Sequence, residues 1–153
     1  MMAADYSSLV RGRIEKEVVR PIPRDEIIRN LPVPARFNLV HIITGMRRCG
    51  KTFYLFQLMA NLLDQGVPRS RMFYFDFSDV RLRPMDPDVM GRVVDEYWRQ
   101  VPEAREQGCY LFLDEVQETD DWQGFCQRVA EQENVTVVIT GSSSKVSSEG
   151  IAT

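Results

Sequence analysis

The stretch GMRRCGKT, which runs from Gly45 to Thr52, limits the possible folds of this chain more than any other segment. It follows FNLVHIIT (37–44), an apolar and β-branched run of strand length. It precedes TFYLFQLMANLLDQ (52–65), where apolar residues recur at helical spacing before Gly66. The order is strand, glycine loop, helix and C-terminal glycine. A G-x-x-x-x-G-K-[ST] match in this setting predicts a loop that binds phosphate groups.

Each position of this loop has a role in phosphate chemistry. Gly45 and Gly50 let successive N–H groups converge on the β-phosphate, and the positive end of the following helix adds to the attraction. Lys51 is expected to bridge the β- and γ-phosphate oxygens, and the Thr52 hydroxyl to bind Mg²⁺. A glycine turn beside a solvent-exposed lysine is disfavoured by the strand and helix that flank it. The predicted nucleotide-binding set also includes Met46, Arg47, Arg48, Cys49 and Phe53.

The order of strand and helix recurs along the chain. Further strands are predicted over 71–77, 109–115 and 135–141, and helices over 88–100 and 119–132. These strands are near-continuous apolar runs, which is typical of strands buried on both faces. We therefore predict an α/β fold, a three-layer α/β/α sandwich around a mostly parallel sheet.

Two acids stand where the third predicted strand ends, in YLFLDE. Open α/β sheets bind ligands at the carboxyl ends of their strands, so Asp114 is expected to complete the Mg²⁺ shell. Glu115 is expected to orient and deprotonate the water that attacks the γ-phosphate. By themselves the two acids would indicate only an acidic loop, but the phosphate loop upstream favours the functional interpretation. The fourth strand ends in VVITGSSS, where Thr140 or Ser142 is expected to sense the γ-phosphate or hold that water.

Composition excludes several other classes of protein. No apolar run approaches the roughly 18 to 20 residues of a membrane-spanning helix, and the N-terminus lacks the apolar core of a signal peptide. We therefore expect a soluble, cytoplasmic protein. Three cysteines in 153 residues, without CxxC pairing, agree with a reducing compartment. The net charge of −3 gives no support to a nucleic-acid surface, although DNA stays open as a partner.

Four segments taken in order, HIITGMRRCGKTFYLFQLM, MFYFDFSDVRL, YLFLDEVQE and VVITGSSS, resemble a family of prokaryotic AAA-type ATPases. The resemblance implies the fold of the additional-strand P-loop ATPases and Mg²⁺-dependent ATP hydrolysis. The phosphate loop would be Walker A, Asp114 and Glu115 would be Walker B, and Thr140 or Ser142 would be the sensor. Family members usually carry a C-terminal domain of unknown function, with a nuclease-like role as one interpretation.

We divide the chain into an entry segment (1–36) with a short helical pattern at 24–31, an ATPase core (37–148) and a tail (149–153). The predicted core includes Trp98 and Trp122, at apolar helical positions, and the mid-strand residue His41.

The family usually continues past the TGSS segment into an arginine-bearing stretch, a fifth strand and a helical lid. We therefore expect this chain to be an N-terminal fragment. In the implied strand order, 5-1-4-3-2, a missing fifth strand leaves 37–44 at an exposed edge. We expect self-association, or coverage of that edge by residues before Pro34. A monomer with this strand free would contradict the expectation. Little hydrolysis is expected from the chain alone, because an arginine finger commonly contributes roughly 10³ to 10⁵ in turnover.

Three functions remain open. The leading hypothesis is an ATPase domain that acts as a motor or switch. The second is a nucleotide-dependent regulatory binding module that barely hydrolyses ATP. Turnover in the full-length protein, with and without DNA, would separate these two. A scaffold with a vestigial loop is disfavoured because Lys51, Thr52, Asp114 and Glu115 are all present.

Overall fold

The computed structural model describes residues 5–16, 31–45, 50–120 and 122–142. Five helices and four strands occur within these ranges. The helices are α1 (Tyr6–Glu15), α2 (Lys51–Asp64), α3 (Val89–Gln100), α4 (Pro102–Gln107) and α5 (Trp122–Gln132). The strands are β1 (His41–Gly45), β2 (Met72–Asp76), β3 (Cys109–Asp114) and β4 (Val135–Ser142). None of these helices is both long enough and apolar enough to cross a membrane.

The four strands form one parallel sheet in the order β1-β4-β3-β2. This confirms the predicted α/β fold and its parallel sheet. Because the strands all run the same way, their carboxyl ends meet at a single edge. Gly45 lies opposite Ser142 there, and Asp76 lies opposite Asp114. We call this edge the carboxyl edge.

Helices cover both faces of the sheet and so make the predicted three layers. Every residue of β3 is buried, which explains why its sequence is a nearly continuous apolar run. On one face α2 packs against the sheet through Leu55, Leu58, Met59, Tyr74, Phe112 and Val138. On the other face α3 and α5 pack through Phe73, Phe75, Val93, Tyr97, Leu111, Phe125 and Val129. Trp98 and Trp122 belong to this second core, at 6% and 2% exposure, as predicted.

Helix α1 was not predicted from the sequence, which was interpreted as an irregular entry segment over 1–36. The Asp5 carboxylate begins the helix by accepting the N–H and the hydroxyl of Ser8, at 3.2 and 2.7 Å. The helix packs against α3 and β2 and buries Val10 completely. Tyr6, Leu9, Val10 and Ile14 recur at helical spacing and pack on the core, but this apolar pattern spans only ten residues and was missed. The helical pattern at 24–31 lies outside the described residues, except for Leu31.

Strand β1 is shorter than predicted, beginning at His41 instead of Phe37. The backbone of Phe37 has φ of 64°, which is incompatible with a strand. The side-chain amide of Asn38 then donates to the carbonyls of Val33 and Val135, at 3.1 and 2.9 Å. The chain before β1 therefore folds against the start of β4.

Two further expectations concern β1. His41 opens the strand and is only partly buried, so its prediction as a mid-strand core residue was wrong. Within the described ranges, β1 pairs with β4 alone. Of the residues before Pro34, residues 17–30 lie outside those ranges. Edge coverage and self-association therefore stay predictions.

Helix α5 begins at Trp122, not at Thr119. A 3-10 turn, Val116–Glu118, intervenes, and the Thr119 hydroxyl donates to the Val116 carbonyl at 2.8 Å instead of capping α5. Helix α4 was also not predicted, because six residues are too few to show helical periodicity.

Two glycines provide a test of the helix assignments. Gly66 follows α2 with φ of 96°, and its N–H donates to the Leu63 carbonyl at 3.0 Å. Gly12 lies inside α1 with open space where a Cβ would stand. Gly66→Ala should lower the free energy of unfolding by about 1 to 2 kcal/mol, because alanine is strained at positive φ. Gly12→Ala should raise it by about 0.5 to 1 kcal/mol. Urea titration followed by circular dichroism measures both, and a shift of the same sign in both would contradict the assignments.

Candidate functional site

The phosphate loop connects β1 to α2 at the carboxyl edge of the sheet. Gly45 ends β1, Gly50 caps α2, and Lys51 and Thr52 lie in the first helical turn. Gly50 has φ of 80°, and its carbonyl accepts the N–H of Tyr54 at 2.9 Å. Glycine adopts this left-handed conformation without strain, which explains its place in the motif. The other loop residues, Met46, Arg47, Arg48 and Cys49, lie outside the described residues, so their binding role stays a prediction.

Asp114 ends β3 with only 1% of its surface exposed, and hydroxyl groups surround its carboxylate. The Oδ2 atom accepts hydrogen bonds from Thr52 Oγ1 and from the Tyr74 hydroxyl, each at 2.7 Å. The Oδ1 atom accepts a hydrogen bond from Thr140 Oγ1. Such bonds offset the cost of removing a carboxylate from water. The fold thus brings the two predicted Mg²⁺ ligands, Thr52 and Asp114, into direct contact.

Glu115 follows Asp114 but leaves the strand in a different direction. Its backbone is left-handed, with φ of 57°, so β3 ends one residue before the predicted end. Its N–H donates to Thr140 Oγ1 at 3.0 Å, and Gln117 Nε2 donates to its Oε2 at 2.6 Å. Left-handed non-glycine residues cost free energy and tend to cluster at functional sites. The turn separates the two acid side chains, as their different predicted roles require.

Lys51 lies between β4 and Glu115. Its side chain is largely buried, and its Nζ donates to the Gly141 carbonyl at 2.8 Å. The same atom lies 4.0 Å from Glu115 Oε1. The predicted phosphate-binding cation and the predicted base are therefore neighbours at the carboxyl edge.

Comparison with known proteins shows which family the chain belongs to. Residues 38–153 match the family model of the AAA domain. The chain belongs to the AAA domain family. It is therefore an AAA-type nucleotide-binding domain.

Curated relatives of this AAA domain are longer proteins. An uncharacterized protein of Methanocaldococcus jannaschii is 32% identical over 132 residues, and one of Haemophilus influenzae is 26% identical over 133 residues. Each match covers 86% of this chain but only 26% and 32% of the respective relative. The chain thus spans about a quarter to a third of the relatives it matches.

The remaining predicted residues take different places in the AAA domain. Thr140 is completely buried, and its hydroxyl contacts both acid residues, donating to Asp114 and accepting from Glu115. Ser142 is partly exposed and lies opposite Gly45, at the start of the phosphate loop. Phe53 is 52% exposed on the first turn of α2.

Few of the described acidic side chains near the carboxyl edge are placed to bind a metal ion. Among the described residues, no three His, Cys, Asp or Glu side chains form a group that could hold a metal ion. The predicted Mg²⁺ would therefore depend on the Asp114 carboxylate and the Thr52 hydroxyl, because Mg²⁺ commonly binds through one or two carboxylates, water and the phosphates of a nucleotide. Asp76, opposite Asp114, is engaged locally, since its Oδ1 accepts the N–H and the hydroxyl of Ser78 at 2.9 and 2.7 Å.

Tyr74 is the site residue that sequence reasoning missed. It belongs to the run MFYFD, where an aromatic residue indicates only a buried strand. Burial, followed by the charge of Asp114, raises the pKa of the Tyr74 hydroxyl well above its usual value. The group therefore stays protonated and able to donate. The only available signal was the alternation of side chains along β2, which puts Tyr74 on the same face of the sheet as Asp76, two residues later.

Proposed function

We propose that this AAA domain binds ATP with Mg²⁺ and hydrolyses it, as a motor or switch within a longer protein. The observation that carries the proposal is the 2.7 Å hydrogen bond between Thr52 Oγ1 and Asp114 Oδ2. It joins the phosphate loop to the acid at the end of the central strand. A threonine hydroxyl that donates to a carboxylate keeps its lone pairs available for a magnesium ion.

The side chains at the carboxyl edge divide the chemistry between them. Lys51 binds the β- and γ-phosphate oxygens, and Thr52 with Asp114 would hold the metal. When bound, Mg²⁺ supplies positive charge that offsets the charge developing on the phosphates. Glu115 orients a water molecule and accepts its proton, with its carboxylate held by Gln117.

The different burial of Thr140 and Ser142 suggests different roles for the two predicted sensor residues. We assign Thr140 to positioning the two acids, because its hydroxyl is already bonded to both residues. Ser142, partly exposed beside the start of the loop, remains the candidate that contacts the γ-phosphate or the attacking water.

One observation favours the alternative, a regulatory module that binds nucleotide with little hydrolysis. Glu115 lies near the ammonium group of Lys51 and accepts a bond from Gln117, so it is not poised toward water alone. Phosphate release by the longer protein, with and without DNA, separates the two functions. Turnover of less than about one per hour under both conditions would favour the regulatory module.

Localisation and nucleotide choice complete the proposal. We propose a cytoplasmic protein, in agreement with Cys109 and Cys126 being free thiols buried in the core. Adenine is proposed from membership of the AAA family, and competition between ATP and GTP for binding tests that choice.

Removal of the metal provides the direct test of the proposed site. In calorimetry, Mg²⁺ should raise the affinity of the wild-type chain for ATP about tenfold, since Thr52 and Asp114 would hold a cation that attracts the phosphates. Thr52→Val keeps the side-chain shape but removes the hydroxyl, so this variant should lose most of the gain from Mg²⁺ while binding ATP normally in EDTA.

A matched control lies at the same edge of the sheet. Ser78→Ala removes a hydroxyl that bonds Asp76 rather than Asp114, so it should retain the full gain from Mg²⁺. If Thr52→Val and Ser78→Ala respond to Mg²⁺ alike, the assignment of Thr52 as a ligand is wrong.

A further inference from the structure

A tyrosine on β2 contacts Asp114, although it belongs neither to the phosphate loop nor to the Asp114–Glu115 pair. Tyr74 is 6% exposed, and its hydroxyl donates to Asp114 Oδ2 at 2.7 Å. Thr52 donates to the same oxygen. The Tyr74 ring packs edge-on against Phe56 of α2, with 4.9 Å between ring centroids. Packing therefore holds the ring, and the direction of its hydroxyl is set before any ligand arrives.

Helix α1 supplies the other contact of this ring. The guanidinium of Arg13 lies 5.3 Å from the centroid of Tyr74, within the range of a cation–π interaction. Arg69 donates to the carbonyls of Arg13 and Lys16, at 3.0 and 3.1 Å, which ties the end of α1 to the start of β2. A continuous set of contacts thus runs from α1 through Tyr74 to the carboxylate of Asp114.

The hydroxyl of Tyr74 can keep its bond to the carboxylate when metal binds. Asp114 has donors on both oxygens, but the Thr52 hydroxyl is also the group proposed to contact Mg²⁺. Tyr74 on Oδ2 and Thr140 on Oδ1 are donors that the metal does not use, so the two together can keep the carboxylate in one orientation. Hydrogen bonds that orient metal-binding carboxylates commonly change metal affinity by roughly 10 to 100-fold when removed.

We propose that Tyr74 is a positioning residue that holds the Asp114 carboxylate toward Mg²⁺, with Arg13 of α1 holding its ring. This inference rests on the proposed binding of ATP with Mg²⁺. It makes the N-terminal helix part of the support of the nucleotide site.

Tyr74→Phe tests the role of the hydroxyl, because it removes one oxygen and keeps the ring. ATP binding to the 153-residue chain is measured by calorimetry in EDTA and then across a series of Mg²⁺ concentrations. In EDTA the variant should bind ATP within about twofold of wild type. The Mg²⁺ concentration that gives half of the affinity gain should rise about tenfold. A merely structural defect would weaken both measurements together.

Tyr110→Phe is the matched control for Tyr74→Phe. Tyr110 has the same 6% exposure and lies in the same core as Tyr74. It stands near the opposite end of β3, four residues and about 13 Å from Asp114. This variant should show the wild-type dependence on Mg²⁺.

Arg13→Ala tests the contact from α1, with Arg11→Ala as its control on an exposed position of the same helix. Loss of the cation–π contact should raise the required Mg²⁺ concentration about two- to fivefold, and Arg11→Ala should not change it.

The possible outcomes separate the two proposals. A Tyr74→Phe variant with wild-type dependence on Mg²⁺ overturns the positioning role while leaving the proposed function intact. Equal loss of ATP binding in EDTA and in Mg²⁺ also overturns it, because the tyrosine would then serve only the fold. If the wild-type chain binds no ATP under either condition, the proposed function itself fails and this inference fails with it.

Discussion

Lys51→Ala is expected to abolish detectable ATP binding, with a rise in Kd on the order of 100-fold or more. In the proposed site, the Lys51 ammonium group is the cation of the described part of the loop that would bind the phosphates. Each bond between a lysine and a charged oxygen contributes roughly 1.5 to 3 kcal/mol, so the loss of two such bonds accounts for this change. Calorimetry with Mg²⁺ and ATP measures it directly.

Folding must be verified in the same variant, because Lys51 is largely buried and donates to the Gly141 carbonyl. A circular dichroism spectrum and melting temperature near those of wild type establish that the site is otherwise intact. Lys16→Ala is the matched control, since Lys16 is an exposed lysine beyond the end of α1. Wild-type affinity in folded Lys51→Ala would refute the assignment of this loop as the phosphate site.

Glu115→Gln is expected to leave ATP binding within about twofold of wild type and to lower turnover by roughly 10² to 10⁴. The amide has the size of the carboxylate and retains an oxygen that can accept from Gln117. It cannot take a proton from water, so it loses the proposed base function without emptying the site. Single-turnover phosphate release and calorimetry on the same preparation measure the two effects separately.

Glu118→Gln is the comparison for this substitution. Glu118 is a nearby acid on the following turn and pairs with Arg83 at 3.3 Å instead of with Lys51. It should retain wild-type turnover. Should Glu115→Gln lose binding and turnover to the same degree, Glu115 would be a binding residue and not the base.

Much of the fold could be predicted because its signals are local. The spacing of apolar residues predicts the strand before Gly50 and the helix after it, and Gly50 itself adopts the positive φ that the loop requires. The continuous run of apolar residues in β3 indicates a strand buried on both faces, which is typical of a parallel sheet. At Phe37 and Thr119 the predicted elements begin later than expected, because a positive φ or a side-chain hydrogen bond replaces the regular backbone there.

Other features could not be predicted because their signals are not local. Helix α1 has a short apolar pattern that includes Leu9, Val10 and Ile14, and its burial depends on contact with α3 and β2. His41 lies at the beginning of its strand only because the preceding residues fold against β4. Tyr74 looks like any core aromatic until β2 is placed next to β3.

Local sequence is enough to predict that Lys51 and Thr52 open a helix and that Asp114 ends a buried strand, because propensity and burial patterns act over a few neighbouring residues. The convergence of Thr52, Tyr74 and Thr140 on one carboxylate is visible in the folded chain alone. These residues come from α2, β2 and β4, and their meeting depends on strand order and register. Both are set by the packing of the whole sheet and not by any segment alone.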